Sequence, residues 1–168
     1  IFDLSFLSSI PNIVIMAPKN FEELDKMLEF GVNLDKPAFI RYPRGGENFS
    51  FESTEDIELG KAEIVQEGTD LSIIAIGNMV GRAEEVASLL PEKSVEIINA
   101  RFLKPLDEET ILNSIRKTGY CITIEDSLLK GGLGSAVVEA VNKSDIQDVK
   151  IKNFGYDDTF VEHGTVKE

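Results

Sequence analysis

The apolar positions of this chain change period several times, and each change marks an element. Residues Asn12 to Ala17 (NIVIMA) form a short continuous apolar run closed by Pro18, the pattern of a buried strand. Asn20 follows as an N-cap with Glu23 in capping-box position, and Phe21, Leu24, Met27 and Leu28 fall on one helical face before Gly31 supplies a stop. Pro37 to Arg41 is the next strand, so this first stretch is a strand-helix-strand crossover, too small to stand alone. Residues 45–60 (GGENFSFESTEDIELG) carry two glycines, an acidic cluster and no helical period, and read as a connection.

Beyond it the pattern restarts. Ala62–Gln66 and Leu71–Gly77 are strands around the turn Glu67-Gly68-Thr69-Asp70, and a helix from Val80 to Leu90 is ended by Pro91. Val95–Asn99 is a strand. Asp107 then caps a helix with Ile111, Leu112 and Ile115 inward and Arg116 and Lys117 in its last turn, where cations suit the helix dipole. After the strand Tyr120–Ile124, residues Leu133, Ala136, Val137, Ala140 and Val141 give the i, i+3, i+4, i+7, i+8 stripe of another helix, and Val149–Phe154 closes the series. Strands alternating with helices imply an α/β fold with a mainly parallel sheet. The expected organisation is the end of one α/β domain (1–45), a linker (46–59) and a complete second α/β domain (60–168).

Composition narrows the function. Of 168 residues 17 are basic and 30 acidic, and the net charge of −13 speaks against a nucleic-acid surface, which needs basic stripes to neutralise phosphates. No apolar run reaches the roughly 18 to 20 residues of a membrane span, and no signal-peptide pattern is visible, so a cytoplasmic protein without membrane partners is the default. The one cysteine, Cys121, cannot form an intrachain disulfide, and one Cys with one His does not support a Cys/His metal site. The chain opens on apolar residues without an initiator Met, as expected of a trimmed chain or proteolytic fragment.

Five segments could carry chemistry. In "AFIRYPRGG" (38–46) a strand ends in Arg41-Tyr42-Pro43-Arg44 and two glycines. Ligands of open α/β sheets gather beyond the carboxyl ends of strands, and Arg binds phosphate or carboxylate bidentately, so Arg44 is an anion-site candidate. Pairing of Arg41 and Arg44 with nearby carboxylates is the plainer alternative, and spacing alone favours it. "GGLGSA" (Gly131–Ala136) meets neither phosphate-loop fingerprint, so a tight strand-to-helix turn is favoured, with an anion at the helix N-terminus still allowed. Glu125 and Asp126 are consecutive on a strand and point to opposite faces, which disfavours a paired acid–base mechanism and favours capping or interface roles. His163, in "FVEHG", is the only histidine, and a structural or interface role is favoured over catalysis. Arg101 and Lys104, in "ARFLKPLDEE", are anion candidates or contacts to a neighbouring domain.

The blocks "FDLSFLSSIPNIVIMAPKNFEEL", "PAFIRYPRG", "INARFLKPLDEE", "TIEDSLLKGGLGSAV" and "FVEHG", in this order and over nearly the whole chain, resemble the 1-deoxy-D-xylulose-5-phosphate synthases of the transketolase superfamily. The resemblance implies the end of a pyrimidine-binding domain followed by a transketolase C-terminal domain. It implies an enzyme condensing pyruvate with glyceraldehyde 3-phosphate with release of CO2, at the start of isoprenoid, thiamine and pyridoxal precursor synthesis. By the same resemblance Arg44 binds the acceptor's phosphate, while no role carries over for Arg41. The full-length family uses thiamine diphosphate and Mg²⁺ and works as a homodimer. Its Gly-Asp-Gly motif, activating glutamate and a further histidine lie outside these residues, so the chain alone is expected to be inactive and to bind no cofactor. Transketolases and the beta subunits of 2-oxoacid dehydrogenases are related alternatives, and a stand-alone binding or regulatory module is a non-enzymatic one.

Overall fold

The computed structural model describes residues 1–45 and 56–161. A short helix, α1 (Asp3–Ser8), leads into β1 (Val14–Met16), α2 (Phe21–Val32) and β2 (Ala38–Ile40). Then come β3 (Glu63–Gln66), β4 (Leu71–Ala75), α3 (Met79–Ser88), β5 (Val95–Asn99), β6 (Phe102–Lys104), α4 (Glu108–Thr118), β7 (Tyr120–Leu128), α5 (Leu133–Lys143) and β8 (Lys150–Tyr156). Two sheets result, a three-stranded one in order β2-β1-β6 and a five-stranded one in order β3-β5-β4-β7-β8. In the larger sheet β4, β5, β7 and β8 are parallel and β3 alone is antiparallel. This is the α/β class expected from the alternating pattern. The connection at 46–59 and His163 lie largely or wholly outside the described residues.

Helix ends follow local chemistry. Asn20 accepts the Glu23 N–H at 2.8 Å, as a capping box requires, but the Glu23 carboxylate reaches back to the N–H of Lys19 at 2.6 Å and not to that of Asn20. Asp107 accepts the N–H of Thr110 at 3.2 Å, and α4 ends at Gly119, whose φ of 70° suits the left-handed C-terminal turn. Gly31, read as a stop, lies inside α2, where it packs towards Met16, Ala38 and Ile40.

The face of α2 differs from the expected one. Only Met27 of the four apolar residues is buried, while Phe21 and Leu28 are exposed and Leu24 is half-buried. The physical cause is Glu23, fully buried one turn before Met27, because its carboxylate is wanted inside by Arg101 and Asn99.

Residues from both ends of the chain share one core. Leu4, Leu7, Ile13, Ile15 and Ala17 pack with Ile74, Ile98, Ile111, Ile115, Leu133 and Val137 between the five-stranded sheet and helices α4 and α5. A second cluster, Ile73, Ala75, Val80, Ala83, Val95 and Ile97, fills the space under α3 on the other face. A third joins Val14, Met16, Met27 and Phe102, with Phe30 edge-on to Phe102 at 6.1 Å. Each fully buried aliphatic side chain contributes about 1.5–3 kcal/mol, so the first core welds residues 1–45 to the larger sheet. Strand β6 does the same by hydrogen bonding. It leaves the end of β5 and pairs antiparallel with β1, covering an edge that would otherwise stay open.

Candidate functional site

The turn after β2 carries the candidate anion residue. Backbone pairing continues one residue past the strand, where the N–H of Arg41 donates to the carbonyl of Met16 at 2.8 Å. Pro43 then fixes its own φ and restricts Tyr42, and Gly45 turns the chain at φ 125° with nothing within 4 Å of where a Cβ would stand. Arg44 is exposed, and among the described residues its side chain has no ion pair or hydrogen bond. Arg41 is the opposite case. Its Nη2 donates to the backbone carbonyl of Asp126 at 2.9 Å and to Asp126 Oδ2 at 2.8 Å, so the plain pairing reading applies to Arg41. A groove of about 340 Å³ between α1 and β2 has Phe6, Phe39, Arg41 and Tyr42 in its walls.

The glycine loop is a turn with its anion built in. Glu125 is buried, and its carboxylate accepts the N–H of Leu133 and of Gly134, each at 2.8 Å, and the hydroxyl of Ser127. Two first-turn amides of α5, in a natural anion site, are therefore already taken by this carboxylate. Gly132 has to be glycine for space, since a Cβ there would stand 2.0 Å from Glu125 Oε2. Burial is the larger influence on the Glu125 carboxyl and pushes its pKa up, against the lowering effect of those hydrogen bonds. The neighbouring Asp126 points the other way, to Arg41, as the pleat of β7 requires.

Arg101 is a contact between the two sheets, not an exposed anion site. It is buried at φ 55°, with its N–H on Asn99 Oδ1 at 3.1 Å and its carbonyl accepting the N–H of Ala17 at 2.9 Å. Its Nε donates to Glu23 Oε1 at 2.8 Å, and Nη2 lies 3.5 Å from Glu63 Oε1. Lys19 pairs with Glu63, and the Asn99 amide donates to Glu23 and to Glu63 at 3.0 Å each. Two cations and two carboxylates thus neutralise one another in the interior, the condition for burying charge at all. Lys104 donates to the carbonyls of Ser8 and Ile10 at 3.1 and 2.6 Å, again towards the first segment.

The crevice where an open parallel sheet ordinarily binds ligands is closed. Connections leave in opposite directions on the two sides of β4, so the switch point lies beyond the carboxyl ends of β4 and β7. At Gly77, just past β4, a Cβ would meet the Cβ of Ala17 at 3.3 Å. Past β7 the N–H of Leu128 donates to the carbonyl of Ile1 at 3.2 Å and Ser5 donates to the carbonyl of Lys130. The first segment plugs the crevice.

Among the described residues no group of three His, Cys, Asp or Glu side chains converges to hold a metal ion, and the helix N-terminus best suited to a diphosphate is taken by Glu125.

Residues 60–168 match the family described as transketolase, C-terminal domain. The chain belongs to that family. Over 98% of its length this transketolase-family chain is 47% identical to the 1-deoxy-D-xylulose-5-phosphate synthase of Halothermothrix orenii and 43% identical to that of Desulforudis audaxviator. It spans 26% of the length of each of these relatives. Among solved structures, a split-gene transketolase described as an inactive beta4 tetramer superposes with a TM-score of 0.89 at 29% identity, over 95% of this chain and 53% of that one. The transketolase of Campylobacter jejuni shares the fold with a TM-score of 0.67 at 19% identity, over 96% of this chain and 24% of that one. The transketolase-type fold, α/β with a mainly parallel sheet, is thereby shown.

Several long-range contacts of this family member escape a reading of the sequence. The pairs Arg41–Asp126 and Lys19–Glu63 join residues 85 and 44 positions apart, and no local pattern announces them. The capping-box glutamate was visible, but not that its carboxylate would be buried.

Proposed function

We propose that this chain is the C-terminal portion of a thiamine-diphosphate-dependent 1-deoxy-D-xylulose-5-phosphate synthase, in which Arg44 binds the phosphate of glyceraldehyde 3-phosphate. The observation that carries the role of Arg44 is its state: exposed, and free of ion pairs among the described residues, beyond the carboxyl end of a parallel strand. A guanidinium that has no ion pair or hydrogen bond among the described residues is available to an anionic ligand. Identity to the synthases over nearly the whole chain supports the substrate pair, pyruvate and glyceraldehyde 3-phosphate, joined with release of CO2.

In this reading residues 1–45 end a pyrimidine-binding domain, 46–59 link, and 60–168 form the transketolase C-terminal domain. The cofactor and its Mg²⁺ are held by other parts of the full-length enzyme, where the cofactor supplies the carbon–carbon chemistry. The chain's own part is to fix the acceptor, and binding energy from a phosphate remote from the reacting carbon can raise the rate as well as the affinity. Exposed Phe6, Phe39 and Tyr42 along the α1–β2 groove, and exposed Phe21 and Leu28 on α2, support burial of the first segment against further protein, the rest of the domain and the second subunit of a homodimer. Among the described residues no helix is long and apolar enough to cross a membrane, and we place the enzyme in the cytoplasm.

The test is steady-state kinetics of the full-length protein with pyruvate, glyceraldehyde 3-phosphate, thiamine diphosphate and Mg²⁺. Formation of 1-deoxy-D-xylulose 5-phosphate is expected, with Arg44→Ala losing about 2 to 4 kcal/mol of transition-state stabilisation for the phosphorylated acceptor. A loss below tenfold removes Arg44 from the site. Turnover only with a ketose donor in place of pyruvate makes the protein a transketolase. Calorimetric titration of the cofactor and Mg²⁺ into residues 1–168 alone is expected to show no binding, and micromolar binding overturns the division of labour.

A further inference from the structure

Arg41 stands three residues before Arg44, and the two differ in everything but chemistry. The Arg41 side chain is 12% exposed, and one of its nitrogens, Nη2, serves two acceptors on the same residue of β7, the main-chain carbonyl and the carboxylate of Asp126. A carbonyl in a strand cannot swing away, so this contact fixes position as well as charge. The Tyr156 phenol at the end of β8 has its pKa raised, first by burial and then by the charge of Asp126. From its own side Arg41 is tied by the backbone bond to Met16. Between this anchor and Arg44 lie only Tyr42 and Pro43, where the proline fixes its own φ and restricts the tyrosine before it.

We propose that Arg41 is a positioning residue for Arg44: its pairing with Asp126 registers the carboxyl end of β2 against β7 and sets where the Arg44 guanidinium meets the acceptor's phosphate. The proposal rests on the reading of Arg44 given above. A contact that merely glued the two sheets together would affect every substrate alike, whereas a contact that aims Arg44 affects the phosphorylated acceptor alone. Misplacement of a binding group by about 1 Å costs on the order of a hundredfold in rate.

The experiment uses the full-length enzyme and compares kcat/KM for glyceraldehyde 3-phosphate with that for unphosphorylated glyceraldehyde, at fixed pyruvate. Arg41→Met is expected to lower the ratio of the two by about 10- to 100-fold. Asp126→Asn, which keeps the carbonyl and one side-chain acceptor, should lower it less, and Arg41→Lys should recover part of the loss. The double variant Arg41→Met/Arg44→Ala should show the same ratio as Arg44→Ala alone, since Arg41 has nothing left to aim. Equal losses on both acceptors, or losses that multiply in the double variant, overturn the positioning role. A ratio that falls in Arg44→Ala and holds in Arg41→Met overturns this inference and leaves the phosphate reading standing. A ratio unchanged in Arg44→Ala overturns the phosphate reading, and the role of Arg41 with it. Should Arg41→Met fail to fold, Arg41→Lys and Asp126→Asn decide by the same ratio.

Discussion

Glu125 and Gly134 close the mouth of α5: Oε1 of the carboxylate accepts the Gly134 N–H at 2.8 Å, while Oε2 takes the Leu133 N–H at the same distance. A negative charge at this end of a helix is favourable, and the carboxylate satisfies amides that would otherwise be buried without partners. The chain thus carries its own anion at the place where a glycine-rich turn would otherwise invite a phosphate.

Glu125→Gln tests that arrangement. The amide offers one acceptor where the carboxylate offers two, and its NH2 would face a backbone N–H, donor against donor. A buried donor left unpaired costs about 1–3 kcal/mol. Urea unfolding of residues 1–168 should show a loss of that size at neutral pH, and a midpoint within error of the unsubstituted chain would mean that water satisfies these amides as well.

Gly132→Ala probes the same contact from the other side. The backbone conformation at Gly132, φ −91°, is open to any residue, so only space matters. The new methyl would stand 2.0 Å from Glu125 Oε2 and 2.5 Å from the carbonyl of Leu128. One of them must move, and overpacking of this kind costs about 1–3 kcal/mol. The loss should be smaller in a Glu125→Ala background, where the obstructing carboxylate is gone; equal losses in both backgrounds would place the strain on the Leu128 carbonyl alone.

Elements whose signals are local are readable from the sequence, and those set at a distance are not. Helix α4 carries its start signal, Asp107, and its C-terminal cations, Arg116 and Lys117, locally, and forms where expected. The opposite orientations of Glu125 and Asp126 follow from the pleat of β7 alone. The partner of Asp126 does not, because Arg41 arrives from a different sheet. The inward face of α2 was misjudged for the same reason: Glu23 is buried to meet Arg101, 78 residues later. Strand β6 has three residues, and its partner β1 precedes it by about half the chain, so Phe102 and Leu103 read only as an exit from β5. At the candidate site the strand, its Arg-rich end and its glycines were visible, whereas the different surroundings of Arg41 and Arg44 required the fold.

Arg101 and Glu23 form the interior ion pair between the two sheets, at 2.8 Å and with both side chains almost wholly buried. Arg101→Met leaves Glu23 and Glu63 with one fewer cation in a low-dielectric site, and breaking a buried pair from one side costs about 3–5 kcal/mol. Removing the partner charge as well, in Arg101→Met/Glu23→Gln, should cost less than the two single losses added together. Calorimetric or urea unfolding of the four proteins of this cycle gives the coupling directly. Strict additivity would mean that the two charges do not depend on each other for their burial.

Two buried carboxylates should tilt the stability of the chain with pH in opposite senses. For Glu125, burial dominates and raises the folded pKa above the ordinary 4.5, so the folded state holds its proton where the unfolded chain has lost it. Its contribution is complete below 4.5 and is lost as pH climbs through the folded value. For Glu96, burial also opposes the charge, but hydrogen bonds from Lys117 and Ser114 outweigh it and hold the carboxyl below 4.5. Its contribution is present above 4.5 and is lost as pH falls through the folded value. Unfolding free energies measured across the acid range should therefore show the deficit of Glu96→Gln shrinking as pH falls below 4.5, and that of Glu125→Gln shrinking as pH rises above it. The deficit that Glu125→Gln retains at neutral pH is the lost acceptor, which no titration restores. Curves for either variant that run parallel to that of the unsubstituted chain would show that its carboxyl titrates alike in the folded and unfolded states.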